Sequence, residues 1–147
     1  MRINKISGIL VLVAMFVIGL TSCGGYSEKA GEKMIEKYED GEITKDDIAT
    51  CIDWVEDAQN ESLESMEDVL EKSGNRRQFD SKMEDAQDIF DKKWDGMEEV
   101  VEMLDKAAID KDNTMGSSDK KRWQKVQDKF HDKVMKFYEK VNKKFND

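Results

Sequence analysis

Apolar positions along this chain follow two different patterns. From Ile9 to Leu20 they form one block, Ile9-Leu10-Val11-Leu12-Val13-Ala14-Met15-Phe16-Val17-Ile18-Gly19-Leu20, while beyond Ser27 they recur every three or four residues among charged ones. A spacing of three and four places side chains on one face of an α-helix, so the second pattern predicts amphipathic helices throughout. The first helix is expected over roughly 27–40, with Ala30, Met34, Ile35 and Tyr38 on one side and Gly41 beyond its end. The restart is the best-marked local signal in the chain. Thr44 can cap the next helix, Asp47 sits where its carboxylate can reach back, and Ile43 can staple onto Ile48.

The second helix is predicted to continue to about Lys72 with the stripe Ile48, Cys51, Ile52, Val55, Leu63, Met66 and Leu70; Gly74 ends it, and Asn75 with Gln78 caps the next. Phe79, Met83, Ala86, Phe90, Trp94, Met97, Val101, Leu104 and Ala108 form the third stripe. Its regularity over about 30 residues predicts a single helix of roughly 45 Å that runs through Gly96. Residues 110–118 are a loop by composition, and a last helix carries Trp123, Val126, Phe130, Val134, Phe137, Val141 and Phe145. No strand is predicted. Three long helices joined by short turns bury their stripes most simply as an up-down-up bundle, with the shorter N-terminal helix added, so the expected class is all-α over 27–147. Stripes this rich in aromatics suit a globular core better than a coiled-coil dimer.

The block at the N-terminus changes the picture of what the mature protein is. Arg2 and Lys5 precede the apolar run, and Thr21, Ser22 and Cys23 follow it. A positive start, an apolar middle and a small-residue end are the parts of a secretory signal. Twelve apolar residues span about 18 Å as a helix, short of the roughly 30 Å hydrocarbon core, so a permanent transmembrane anchor is the poorer reading. Leu20-Thr21-Ser22-Cys23 resembles the lipobox of bacterial lipoproteins. That resemblance implies removal of residues 1–22 and attachment of a diacylglycerol thioether to Cys23, with a further acyl chain, such as palmitate, on the new N-terminus. Two or three chains hold a protein at a membrane nearly permanently, at about 0.8 kcal/mol per buried CH₂. Residues 23–26 are then a tether of at most about 15 Å. Gly24 stands where an Asp would retain such a protein at the inner membrane of some enteric bacteria, so outer-membrane delivery is favoured.

Composition and charge narrow the function classes. Proline is absent and 39% of residues are charged, in keeping with helices. Residues 26–116 carry 12 basic and 28 acidic side chains, whereas 117–147 carry 10 basic and 5 acidic. The simplest account is a basic last helix packed beside acidic neighbours; the alternative is a basic face for anionic lipid. Net charge and export both argue against nucleic acid. Cys51 cannot pair with an acylated Cys23 and, lying on an apolar stripe, is expected to be an inert buried thiol.

Several motifs approach chemistry without completing it. Asp40–Asp47 resembles the second half of an EF-hand loop, but Tyr38 falls where a carboxylate is required and Asp47 replaces the closing Glu. Asp91, Asp95, Gly96 and Glu102 have EF-hand offsets, with Lys93 and Glu98 at unsuitable positions. The 110–116 loop offers Asp110, Asp112 and Asn113 to a divalent ion without a bidentate Glu. His131 is the only histidine; with Asp128 it makes half of a di-iron motif, and with Met34 a conceivable haem ligand pair. No Ser-His-Asp or Cys-His set can be assembled. The mature part resembles small all-helical envelope lipoproteins. The expectation is a membrane-tethered, non-enzymatic module without a cofactor or metal, whose partners are the membrane, through its lipid, and an envelope protein.

Overall fold

A computed structural model describes residues 25–146; the expected signal segment 1–22 and Cys23 lie outside the described residues. Among those described the chain is all-helical, in the order α1 (Glu28–Glu39), α2 (Lys45–Lys72), α3 (Arg76–Lys93), α4 (Met97–Ile109) and α5 (Ser117–Asn146). None of these helices is long and apolar enough to cross a membrane.

The caps explain the boundaries. Ser27 accepts from the Ala30 amide at 3.1 Å to open α1. At α2 the reciprocal cap expected from sequence is present: the Asp47 amide donates to the Thr44 hydroxyl at 3.1 Å, and the Thr44 amide donates to the Asp47 carboxylate at 3.0 Å. Before α3, the Gln78 amide donates to Asn75 at 2.9 Å while the Gln78 side chain reaches back to the Gly74 amide at 2.8 Å. These bonds satisfy donors that a helix start otherwise leaves unpaired.

The expected single helix through Gly96 is interrupted. α3 stops at Lys93, the chain turns through Trp94-Asp95-Gly96, and α4 begins at Met97. Gly96 lies at φ +82°, a left-handed conformation that costs glycine nothing and other residues dearly. Met97 donates its amide to the Trp94 carbonyl at 3.0 Å, closing the turn. The expected three long helices and shorter N-terminal helix are therefore five helices among the described residues, with α3 and α4 in place of the third long one. Burial kept its apolar pattern but changed phase: beyond the turn the buried face is Met97, Val100, Met103, Leu104 and Ala107, not Val101 and Ala108.

The described chain divides into two compact units. One comprises Tyr26–Gln59 and Trp94–Lys129 and holds all three tryptophans; it is called the tryptophan unit. Its core includes Ile48, Ile52, Val55, Val100, Leu104 and Met115, with Trp54, Trp94 and Trp123 nearly fully buried. α1 packs along α4. Polar ties close its margins: Trp123 Nε1 donates to Asp105 at 2.9 Å, Gln127 donates to the same carboxylate at 3.0 Å, and Arg122 pairs with Asp53.

Among the described residues the other unit comprises Gly25, Asn60–Lys93 and residues 130–146, and contains every described phenylalanine; it is called the phenylalanine unit. Val69, Leu70, Phe79, Ala86, Phe137 and Val141 form its buried cluster. The Phe79 ring lies 6.1 Å from Phe137 and 5.5 Å from Phe145, centroid to centroid. Within this unit Glu61 pairs with Lys93 and the Lys72 carbonyl accepts from Lys82, an antiparallel register for α2 and α3. Glu67 pairs with Lys140 and the Leu70 carbonyl accepts from Lys144, a parallel register for α2 and α5.

Candidate functional site

The part of the described chain nearest to the expected lipidation residue is held by several contacts of Tyr26. Tyr26 precedes the N-cap Ser27, the position from which an apolar side chain can staple onto the first turns of the helix. Gly31 occupies the partner position. A Cβ there would meet the Tyr26 ring at 3.0 Å, so glycine at the fourth position of α1 is what lets the ring lie across it. The ring stacks on Trp94 at 5.4 Å with planes 24° apart, and meets Trp54 edge-on at 5.4 Å and 71°. Its hydroxyl donates to the Asp95 carbonyl in the turn that interrupts the third stripe. A Cβ at Gly96 would meet that hydroxyl at 3.1 Å. Burial, then the negative charges of Asp95, Glu99, Glu28 and Glu32, push the Tyr26 phenol up to about 12. The same crowding raises the Glu28 carboxyl, with Asp95 the main cause.

Two of the residues suspected of ion binding, Asp47 and Asp110, bond within caps and turns. Asp47 closes the α2 cap and meets Lys37 at 3.4 Å; the hydrogen bond from the Thr44 backbone holds its carboxyl below the usual range. In the 110–116 loop, the Asp110 carboxylate accepts from the Thr114 amide at 3.1 Å, the Thr114 hydroxyl and the Tyr38 hydroxyl at 3.2 Å. Those bonds, the Thr114 hydroxyl first, depress its pKa. Asn113 takes φ +51° there, which asparagine tolerates, and Met115 is fully buried. The loop is thus an internally bonded turn plugged into the core by a methionine. Asp91 lies on α3 and Glu102 on α4, so the second EF-hand-like run is two helix ends and a turn. Among the described residues no group of three or more His, Cys, Asp or Glu side chains is placed to hold a metal.

His131 and Asp128 are exposed on α5. Cys51 is fully buried, and burial pushes its thiol up to about 12, far from a reactive thiolate. Met34, the other conceivable haem ligand, is half-buried on α1.

The charge of α5 is partly used inside the protein. In the tryptophan unit Arg122 pairs with Asp53 and, at 3.5 Å, with Glu56, and these contacts raise its pKa further. In the phenylalanine unit Lys140 meets Glu67 at 3.1 Å beside an open groove of about 680 Å³ lined by Glu64, Asp68, Glu71, Lys143 and Lys144. Both signs line that groove, so it attracts neither anions nor cations strongly. Lys121, Lys125 and Lys129 are exposed and form no ion pair among the described residues.

Sequence reasoning named Cys23 as the site residue, and it lies outside the described residues. It passed over Tyr26, the last residue of the expected tether. The available signal was an aromatic residue directly before a capping serine, with a glycine five positions on. No protein-family model matches the chain, and no curated protein or solved structure is detectably similar to it.

Proposed function

We propose that this chain is a lipid-anchored cell-envelope protein whose helical domain is a protein-binding or structural module rather than an enzyme. The observation that carries the proposal is Leu20-Thr21-Ser22-Cys23 at the end of a signal-like segment, four residues before the N-cap of α1. Cys23 carries the lipid, residues 1–22 are removed, and the domain works beside a bilayer, the outer membrane in a Gram-negative cell. Lipidation confines its search for a partner to a surface, and the charged helix faces supply docking contacts. Within this proposal the stretches 45–72, 76–109 and 117–146 follow an up-down-up course, with α1 alongside; the helix directions inside the phenylalanine unit support it.

The test is metabolic labelling with palmitate followed by membrane fractionation. The wild-type chain takes up label and sediments with membranes, and Cys23→Ala does neither. Membrane association of Cys23→Ala equal to wild type contradicts the proposal. Cross-linking on intact cells then reads the partner: a recurrent envelope protein is expected, and repeated recovery of the chain alone counts against the binding role.

A second reading has its own observation. Lys121, Lys125 and Lys129 recur at intervals of four on α5 and are exposed, whereas Arg122 beside them is committed to Asp53 and Glu56. These three lysines can rest on anionic headgroups. Reversing their charges in the full chain, and comparing its association with anionic and zwitterionic vesicles, isolates that contribution; equal association before and after reversal removes the reading.

A further inference from the structure

Tyr26 is the third residue after Cys23, so the two α-carbons are at most about 11 Å apart whatever path Gly24 and Gly25 take. Two glycines on their own would make a loose leash. The next residue removes that looseness. The half-buried Tyr26 ring stacks on Trp94 and meets Trp54 edge-on, its hydroxyl donates to the Asp95 carbonyl, and two glycines, Gly31 and Gly96, leave the space it occupies. α1 then runs back along α4 in the same direction, with Gly31 beside Val100 and Tyr38 reaching Asp110. The start of α1 is therefore held at the start of α4, and Ile109, which is 85% exposed, marks the far end.

We propose that Tyr26 is a strap locking the lipid-bearing end of the chain onto the Asp95–Gly96 end of α4, so that this end of the tryptophan unit is the one held against the bilayer. This rests on the reading that Cys23 carries the lipid. The surface around the strap bears Glu28, Asp95 and Glu99, so the membrane-facing end is acidic, and partners approaching over the membrane meet the sides and the Ile109 end of α4. Losing the strap adds Tyr26 and Ser27 to the leash, which then reaches about 18 Å from Cys23 to the start of α1 instead of about 11 Å.

Two measurements on the full chain test this. Glu98→Cys and Ile109→Cys place single reactive thiols about 16 Å apart along α4, since Cys51 is buried and Cys23 is blocked by acylation. In phosphatidylcholine vesicles doped with nitroxide-headgroup lipid, a fluorophore at 98 is expected to lose much of its emission and one at 109 little. Equal quenching at both positions, with lipid shown on Cys23, overturns the strap alone. Absence of lipid on Cys23 overturns the anchoring reading itself. The second measurement needs no membrane: in Tyr26→Ala, exchange of the Ala30 and Gly31 amides, which bond to Ser27, rises about tenfold or more, and in Tyr26→Phe, which keeps both ring contacts, it rises less. Exchange unchanged from wild type in Tyr26→Ala overturns the strap.

Discussion

The two units of this protein are built from the same kind of helix yet hold themselves together differently. All three tryptophans lie in one and all described phenylalanines in the other. The tryptophan unit carries 11 basic and 20 acidic side chains, a net charge of −9, and its aromatic rings are tied by polar groups: Tyr26 to Asp95, Trp123 to Asp105, and Tyr38 to Asp110. The described phenylalanine unit carries 11 basic and 12 acidic side chains, and its rings meet one another, Phe79 against Phe137 and Phe145. Apolar contact stabilises without direction, whereas a buried ring with an N–H or O–H requires a partner in one place. The rings of the tryptophan unit are thus placed by directional bonds as well as by burial, and the phenylalanine cluster chiefly by apolar contact.

That contrast can be broken at several points. Phe137→Ala removes a ring that is 1% exposed from the centre of the phenylalanine cluster and is expected to cost about 3–5 kcal/mol, read by chemical denaturation. A cost below about 1 kcal/mol would mean that the cluster is not what holds its unit. Gly96→Ala places a side chain at φ +82° against the Tyr26 hydroxyl and is expected to destabilise by more than about 1 kcal/mol. The change is expected in tryptophan fluorescence, because all three tryptophans report on that unit.

Acid sharpens the contrast. The folded pKa values of Asp47 and Asp110 are lowered, chiefly by bonds from Thr44 and Thr114, and both residues lie in the tryptophan unit. Their contribution is fully present above the unfolded carboxylate pKa of about 3.9 and is lost as pH falls through the lowered folded values. Tryptophan fluorescence should therefore record loosening between about pH 5 and about pH 2. Asp47→Asn is expected to be less stable at neutral pH and to lose less across that interval; a loss as large as wild type's would assign the acid response to other groups. The smallest effect is expected at the phenylalanine unit's surface. Lys140 and Glu67 are 60% and 56% exposed, so Lys140→Ala should cost no more than about 0.5 kcal/mol.

Local chemistry was the most readable layer of the sequence. The reciprocal cap of Thr44 and Asp47 and the pair Asn75 and Gln78 were predictable because each depends on residues a few positions apart. Helix faces were readable where a helix is uninterrupted: Ile48, Cys51, Ile52 and Val55 are buried as their spacing predicts. The turn at Trp94–Gly96 was not readable, because Trp94 and Met97 stay buried on either side and the apolar stripe carries no mark of the backbone between them. One contact that holds the turn is distant in sequence: the Tyr26 hydroxyl donates to the Asp95 carbonyl. Trp54 and Val69 were missed for a related reason, since they are buried by partners beyond the stripe of α2. Met115 sits in a segment polar enough to read as solvent-exposed loop, yet it is fully buried.

Intact-mass analysis of the protein recovered from membranes tests the proposed lipidation of Cys23. The expected species begins at Cys23 and carries a diacylglycerol thioether, with or without a further amide-linked chain. A chain that keeps residues 1–22, or one whose Cys23 is present and unmodified, contradicts it.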